Sequence, residues 1–364
     1  MAPPNTDAVI QEFEKLDLQK LAREKGYYPI NPQKEYPELD AFEHNDPGHR
    51  ADPQKAALLK NATKVFDVTP SIGTEIHGVQ LSQLTDAQKD DLALLVAERG
   101  VVFFRDQDID VYQGREFGKH FGPLHIHNTY GHPEGLPEVH VVYFDPNSAK
   151  NDKETLRIDI STKSSAEIWH SDVSYEPQTP GLTFLKIDTL PHTGGDTLWS
   201  SGYSAYDRLS PAFQKFVETL QVVHTGQNQV NSARNAGFSV RRKNWESIHP
   251  LVRTHPVTGW KALYVQPVFT SHIVGLPKKE SDAILNFLYD HIVGGADFQV
   301  RFKWEENSVA VWDNRVTAHC AIFDYIDFAK RHGWRITPLA EKPYFDPNSK
   351  SRKEDLAEKK KSQN

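Results

Sequence analysis

The pattern of hydrophobic and polar positions becomes regular near Thr63 and predicts short strands with a few helices. Thr85 and Gln88 form a capping box, and Gly100 stands where a helix would end. Residues 101–105 follow directly as an apolar run of β-branched and aromatic side chains. Such a run indicates a buried strand, so this part of the chain predicts a helix followed by a core strand.

Further apolar runs predict more strands, separated by connections rich in Gly and Pro. They are residues 65–68, 139–143, 169–173, 183–189, 262–265 and 309–312. Helical patterns cover residues 205–221 and 279–292. Many short strands with turn signals between them favour a mainly β fold with flanking helices, either a sandwich or a jelly roll.

The two ends of the chain differ from this central part. Residues 1–62 are polar and rich in Pro and Tyr, with a helical pattern near residues 8–25, and predict an N-terminal extension over the domain surface. Residues 63–345 are predicted as the jelly-roll domain. Residues 346–364 mix charges of both signs and have almost no apolar side chains, which predicts a disordered tail.

Composition narrows the class of protein. Of 364 residues, 38% are hydrophobic and 25% charged, which is typical of a soluble globular chain. The net charge of −7 gives no field that would attract nucleic acid or an anionic membrane, and neither is expected as a partner. A homo-oligomer is compatible with the sequence. With Cys320 as the only cysteine and no apolar start typical of a secretory signal, the chain is expected to be cytoplasmic.

The first candidate for chemistry is His170-Ser171-Asp172. In a strand, side chains two positions apart point to the same face, so His170 and Asp172 are expected to converge. An imidazole and a carboxylate are two ligands of the facial triad that leaves positions open on iron(II). Alone, the pair is more typical of a structural hydrogen bond between a histidine and a carboxylate, and the triad requires another histidine.

Further along the chain stand Thr197, His319 and Arg331, inside the motifs TGGDTLWSS, WDNRVTAH and KRHGWR. Together with WHSDV, these spaced elements resemble the TauD/TfdA family of 2-oxoglutarate-dependent dioxygenases, and the motifs look most like those of its taurine (sulfonate) dioxygenases. The resemblance covers roughly residues 63–345. It implies a double-stranded β-helix (jelly roll) core and an oxygenase that consumes 2-oxoglutarate and O2.

The resemblance also implies roles for single residues. His170, Asp172 and His319 would bind Fe(II) and form the catalytic centre, while Thr197 and Arg331 would bind the distal carboxylate of 2-oxoglutarate. A guanidinium suits that task because its fork makes two parallel charge-assisted hydrogen bonds to one carboxylate. Cys320 follows the distal ligand and, in a strand, is expected to point away from the metal without a redox role.

The substrate side of the site is expected to include His127, Tyr130 and Arg335, because these positions match substrate-binding residues of the family. Arg335 lies four residues after Arg331, on the same face of a strand. This chain has one more residue between His319 and Arg331 than the taurine dioxygenases of the family. The two arginines could therefore have exchanged roles, with Arg335 binding 2-oxoglutarate and Arg331 the substrate. Ala166 replaces an asparagine that contacts the substrate in the family, which suggests a less polar or larger substrate.

Several functions remain open at this level. The leading hypothesis is hydroxylation of a small anionic substrate, taurine or another alkyl sulfonate, with release of sulfite and an aldehyde. The alternative keeps the oxygenase chemistry and acts on an amino acid, an aryloxy acid, a sulfate ester or a specialised-metabolism intermediate. A zinc-dependent hydrolase or isomerase would have no use for Thr197 and Arg331 together. A non-enzymatic jelly-roll binding module, in which the polar residues are structural, would not explain why all the spaced motifs occur together.

Overall fold

The computed structural model describes residues 27–146, 164–326 and 329–362, so the helix predicted within residues 8–25 lies outside the described residues. The strands are β1 (Lys64–Asp67), β2 (Thr74–His77), β3 (Val101–Phe104), β4 (Val139–Phe144), β5 (Leu182–Thr189), β6 (Thr197–Ser201), β7 (Gln221–Thr225), β8 (Glu246–Pro250), β9 (Val252–Thr254), β10 (Lys261–Leu263), β11 (Thr270–Ile273), β12 (Gln299–Phe302), β13 (Ser308–Asp313), β14 (Thr317–Ala321) and β15 (Arg331–Ile336). The α-helices are α1 (Ala56–Leu59), α2 (Asp86–Arg99), α3 (Val111–Gly118), α4 (Gly202–Asp207), α5 (Pro211–Val217), α6 (Gln227–Asn235), α7 (Lys278–Val293) and α8 (Arg352–Ser362). Short 3-10 helices cover Pro47–Arg50, Leu81–Gln83, Lys119–Phe121, Ser165–Ile168 and Ala296–Phe298.

Two sheets form the core. The larger has the order β1-β2-β3-β13-β5-β15-β4, and the smaller has the order β12-β6-β14. Side chains from both sheets share one buried cluster, in which the rings of Phe103 and Phe302 stack with centroids 4.0 Å apart. The fold is mainly β with a jelly-roll core, as the sequence predicts.

The outer face of the larger sheet is covered by helices. Helix α2 begins with the predicted capping box of Thr85 and Gln88 and ends at Gly100, which adopts a positive φ of 75°. Trp334 of β15 packs against α3 so closely that a Cβ on Gly114 would lie 2.1 Å from the indole. Glycine is therefore required at position 114, and this contact fixes β15 against the helix layer.

Two local predictions need correction. Residues 169–173 do not form a strand: His170 makes an isolated bridge to His319, and a turn begins at Asp172. The Asp172 N–H donates to the side chain of Asn314 instead of a neighbouring strand, at 3.0 Å. The helical pattern of residues 205–221 is interrupted, because Ser210 caps a new helix that starts at Pro211.

The charged tail also differs from its prediction. Instead of being disordered, residues 352–362 form α8, which is attached to the domain at several points. The Trp260 indole N–H donates to Asp355 at 2.8 Å, and the Arg352 guanidinium donates to the Ser71 carbonyl at 2.6 Å. Charge composition alone misses these contacts because they come from distant parts of the chain.

Residues 27–62 of the N-terminal extension lie on the domain surface. Tyr27 stacks on His332, Tyr36 contacts His132 at 2.7 Å, and Asp46 forms an ion pair with buried Arg315 at 2.6 Å. None of the helices in the described ranges is long and apolar enough to cross a bilayer.

Two buried histidines near β7 and β8 give a prediction about stability in acid. Burial lowers the pKa of His224 well below its usual range and that of His249 to about 4. In the unfolded chain the His249 imidazole takes up a proton below about pH 6.5, whereas in the folded chain it stays neutral until about pH 4. The free energy of unfolding should therefore fall as the pH is lowered through this window, by roughly 2 kcal/mol from His249 alone between pH 7 and pH 5.

Urea unfolding of the wild type and of His249→Gln at both pH values checks this expectation. The His249 ring donates to the Ser174 carbonyl, a bond that the glutamine amide can replace without titrating. The variant should lose less stability in acid than the wild type. Equal losses in the two proteins would contradict the assignment of acid sensitivity to His249.

Candidate active site

A cavity of about 490 Å³ opens beside the two sheets. All the site residues predicted from the sequence line it, although they come from separate parts of the chain: His127, Tyr130, His170, Asp172, Thr197, His319, Arg331 and Arg335. Apolar side chains, including Val173, Leu185 and Phe269, complete the wall. The cavity thus combines a few polar groups with a mostly apolar lining, as small-molecule sites do.

The two histidines and Asp172 converge at one point. Potential ligand atoms of the three residues all lie within 4.8 Å of one another. Asp172 Oδ1 is 3.8 Å from His170 Nε2 and 3.7 Å from His319 Nε2. Backbone hydrogen bonds of 2.9 and 2.7 Å between His170 and His319 hold the two imidazoles side by side.

The protonation states suit metal binding. Burial lowers the pKa of both His170 and His319, so both imidazoles are neutral near pH 7. Burial raises the pKa of Asp172, but the Arg335 guanidinium and the two histidines more than offset this, and the net pKa lies below its ordinary range. His170 Nδ1 donates to the Ile168 carbonyl at 2.8 Å, which leaves the lone pair on Nε2. Two neutral imidazoles and one carboxylate are the donors that a divalent metal requires.

Arg331 and Thr197 lie at another part of the cavity. Arg331 is 3% exposed, and its Nε and Nη2 have no hydrogen-bond partner among the described residues. Thr197 Oγ1 accepts a hydrogen bond from the Trp304 indole at 3.0 Å, and the Arg331 guanidinium lies 5.9 Å from the same indole ring. A buried guanidinium with unsatisfied donors is costly, and a carboxylate would satisfy it.

Arg335 has a different environment from Arg331 although both lie on one face of β15. Its Nη1 donates to Asp172 Oδ1 at 2.6 Å, and its Nη2 lies 2.7 Å from His140 Nδ1. Among the described residues, Arg331 thus has two nitrogens without a partner, Nε and Nη2, whereas Arg335 has only Nε unpaired and both of its terminal nitrogens are held. This difference cannot be read from the spacing of the arginines.

His140 is a cavity residue that sequence reasoning missed. It lies on β4 directly across from Arg335 on β15. Its ring stacks on Tyr130 with centroids 4.4 Å apart, and the His127 ring lies 4.5 Å from Tyr130. Position 140 lies within a predicted strand, but only the register with β15 shows that its side chain enters the cavity.

Residues flanking the motifs have mainly structural contacts. The rings of Trp312 and Trp199 pack 4.9 and 6.5 Å from the His319 ring. Cys320 is buried beside the Ser165 carbonyl, and burial raises the pKa of its thiol to about 12. Ala166 is exposed and does not line the cavity, whereas Glu167 does. The expected effect of Ala166 on the substrate is therefore not supported.

A jelly-roll cavity with two histidines, one carboxylate and a separate buried arginine defines the class of 2-oxoglutarate-dependent oxygenases. The chain belongs to the TauD/TfdA family, because residues 64–337 match the family described as taurine catabolism dioxygenase TauD, TfdA family. Members of this family are oxidoreductases that use 2-oxoglutarate, also called alpha-ketoglutarate, and O2 to act on small organic substrates.

Individual relatives agree with this family. The alpha-ketoglutarate-dependent dioxygenase cnsP of Penicillium expansum is 47% identical over 325 residues, which are 87% of this chain and 86% of the relative. The alpha-ketoglutarate-dependent sulfonate dioxygenase of Saccharomyces cerevisiae is 43% identical over 345 residues, which are 91% of this chain and 82% of the relative. A crystal structure of a taurine dioxygenase from Burkholderia xenovorans superposes with a TM-score of 0.65 at 34% identity, covering 79% of this chain and 92% of that one.

Proposed function

We propose that the chain is an Fe(II)-dependent sulfonate dioxygenase in which His170, Asp172 and His319 bind the metal. The observation that carries this proposal is the convergence of their ligand atoms within 4.8 Å in the wall of a substrate-sized cavity. The bound iron, with O2 and 2-oxoglutarate, supplies the hydroxylating chemistry. Two imidazoles and a single carboxylate leave coordination positions open for both cosubstrates.

Arg331 and Thr197 are proposed to bind 2-oxoglutarate. The unpaired Nε and Nη2 of Arg331 are available for the distal carboxylate, and the Thr197 hydroxyl can donate to it while accepting from the Trp304 indole. Arg335 is less suited to this role because Asp172 and His140 already hold its guanidinium. This contrast supports the assignment of Arg331 to the cosubstrate.

His127, Tyr130 and Arg335 are proposed to bind the anionic group of the substrate, together with His140. The three aromatic rings lie against one another. Arg335 adds the positive charge that a sulfonate requires, and its buried Nε, which has no hydrogen-bond partner among the described residues, is available to donate to it. The relative from Saccharomyces cerevisiae carries sulfonate in its name, which favours this substrate class here.

The reaction follows from where the substrate is held. An anion fixed at Arg335 places the adjacent carbon near the metal, because Arg335 contacts Asp172 directly. Hydroxylation of the carbon that bears sulfur gives an unstable alcohol, which expels sulfite and leaves an aldehyde. The apolar side chains of Val173, Leu185 and Phe269 exclude water from this position.

Incubation of the iron-loaded protein with 2-oxoglutarate, O2 and a panel of alkyl sulfonates should form succinate and sulfite in equal amounts. Amino acids, aryloxy acids and sulfate esters form the comparison panel, and both products are measured in every reaction. If one compound of the comparison panel yields succinate without sulfite, its class, and not the sulfonates, is the substrate of the enzyme. Succinate that does not depend on O2 would contradict the oxygenase reaction itself.

A further inference from the structure

We propose that Thr183 and Asn314 are positioning residues that restrict Asp172 to one metal-binding oxygen. The inference rests on the proposed metal site and concerns the second oxygen of its carboxylate. Neither Thr183 nor Asn314 touches the two histidines through any hydrogen bond described for the site. Their role would be to determine how the carboxylate meets the metal, and therefore how many coordination positions stay open.

The two oxygens of Asp172 have different surroundings. Oδ1 faces the metal site: it lies 3.8 and 3.7 Å from the imidazole Nε2 atoms of His170 and His319, and it also accepts from Arg335 Nη1 at 2.6 Å. Oδ2 instead lies 3.0 Å from the Thr183 hydroxyl, which donates to it. The side chain of Asp172 is 2% exposed and Thr183 is fully buried, so water does not compete for this bond.

The direction of each hydrogen bond is determined by its neighbours. Asn314 Oδ1 accepts from two groups that can only donate, the Asp172 N–H at 3.0 Å and the Trp312 indole N–H at 3.1 Å. This fixes the amide orientation, so Nδ2 must donate to Thr183 Oγ1, 2.7 Å away. The single hydroxyl proton of Thr183 is then directed to Asp172 Oδ2.

Thr183, Trp312 and Asn314 also attach the segment of His170 and Asp172, which is not part of a strand, to the larger sheet. Thr183 on β5 and Trp312 on β13 are paired across the larger sheet, and Asn314 follows directly after β13. The Ser171 hydroxyl also donates to the Asn314 carbonyl, at 2.6 Å. The segment that carries Asp172 is thus attached to the rigid larger sheet through side chains instead of a backbone ladder.

Holding Oδ2 has a consequence for the metal. A carboxylate that binds through one oxygen occupies one coordination position, whereas a bidentate carboxylate occupies two and competes with the chelating cosubstrate or O2. If the Thr183 hydroxyl were removed, the buried Oδ2 would lose its only donor among the hydrogen bonds described for it. The carboxylate of Asp172 would then rotate so that Oδ2 also binds the metal, because a buried oxygen without a donor is costly.

The test uses Thr183→Val, which keeps the side-chain shape, and Thr183→Ser, which keeps the hydroxyl. Co(II) is titrated into each protein, and both its dissociation constant and its visible absorption spectrum are recorded. We expect Thr183→Val to change the dissociation constant roughly 10- to 100-fold and to alter the spectrum, with Thr183→Ser close to the wild type. Thr254→Val is the matched control, because Thr254 has a buried hydroxyl that contacts Ser349 and does not line the cavity.

A second variant covers the case in which Thr183→Val does not fold. Asn314→Asp keeps the oxygen that accepts from Asp172 and Trp312 but replaces the donor to Thr183 by an acceptor, which would turn the hydroxyl away from Asp172. It should change the Co(II) spectrum in the same direction. The proposal is overturned if the folded variants bind Co(II) like the Thr254→Val control. If His170→Ala also binds Co(II) normally, the metal site itself is wrong, so the two failures are distinguishable.

Discussion

Replacing His170 by alanine is expected to abolish metal binding and oxygen-dependent formation of succinate. His170 offers one of the converging nitrogens, and the remaining pair of His319 and Asp172 cannot hold the ion in a defined geometry. The loss should exceed the roughly 10- to 100-fold effect of removing a residue that only supports a ligand. Calorimetric titration with Fe(II) under nitrogen measures the binding, and succinate release under air measures the turnover.

His272→Ala is the control for this experiment, because His272 is an exposed histidine on β11 and does not line the cavity. It should bind iron and form succinate at the wild-type rate. An unchanged rate of succinate release in His170→Ala would contradict the assignment of His170 as a metal ligand. It would also contradict the proposal that this cavity is the active site.

Replacing Arg331 by leucine should chiefly weaken the binding of 2-oxoglutarate. The substitution leaves the distal carboxylate of the cosubstrate without its buried cation, which costs about 3 kcal/mol, or roughly 100-fold in KM. The KM for the sulfonate should change much less, because Arg335 and His140 remain in place. Steady-state kinetics with each substrate varied separately at saturating levels of the other resolve the two effects.

Two further variants separate the contribution of charge from that of hydrogen-bond geometry and provide a control. Arg331→Lys keeps the charge but loses the two-pronged hydrogen bond, so its KM for 2-oxoglutarate should lie between those of the wild type and Arg331→Leu. Arg301→Leu removes an exposed arginine that pairs with Asp196 and should leave both KM values unchanged. If Arg335→Leu, and not Arg331→Leu, raises the KM for 2-oxoglutarate, the two arginines have exchanged roles.

The accuracy of the sequence predictions depended on how local the determining interactions are. The capping box of α2 and the strand that follows it were confirmed because caps and apolar periodicity act over a few neighbouring residues. The strand at residues 169–173 was wrong because the Asp172 backbone bonds to a side chain from a distant part of the chain. The tail prediction was wrong for a similar reason, since α8 is held by Trp260 and Ser71.

The amino-acid sequence by itself determined the candidate metal ligands and the two arginines of the cavity, although not His140. His170, Asp172 and His319 could be selected as a set because metal chemistry restricts the donor types, and β15 places Arg331 and Arg335 on one face at any register. Only the tertiary structure decided how these groups are paired: Arg335 to Asp172, His140 to Arg335, and Thr183 to the second carboxylate oxygen. Hydrogen bonds of this kind depend on strand register and on distances of a few ångströms between remote residues, which local sequence patterns do not contain.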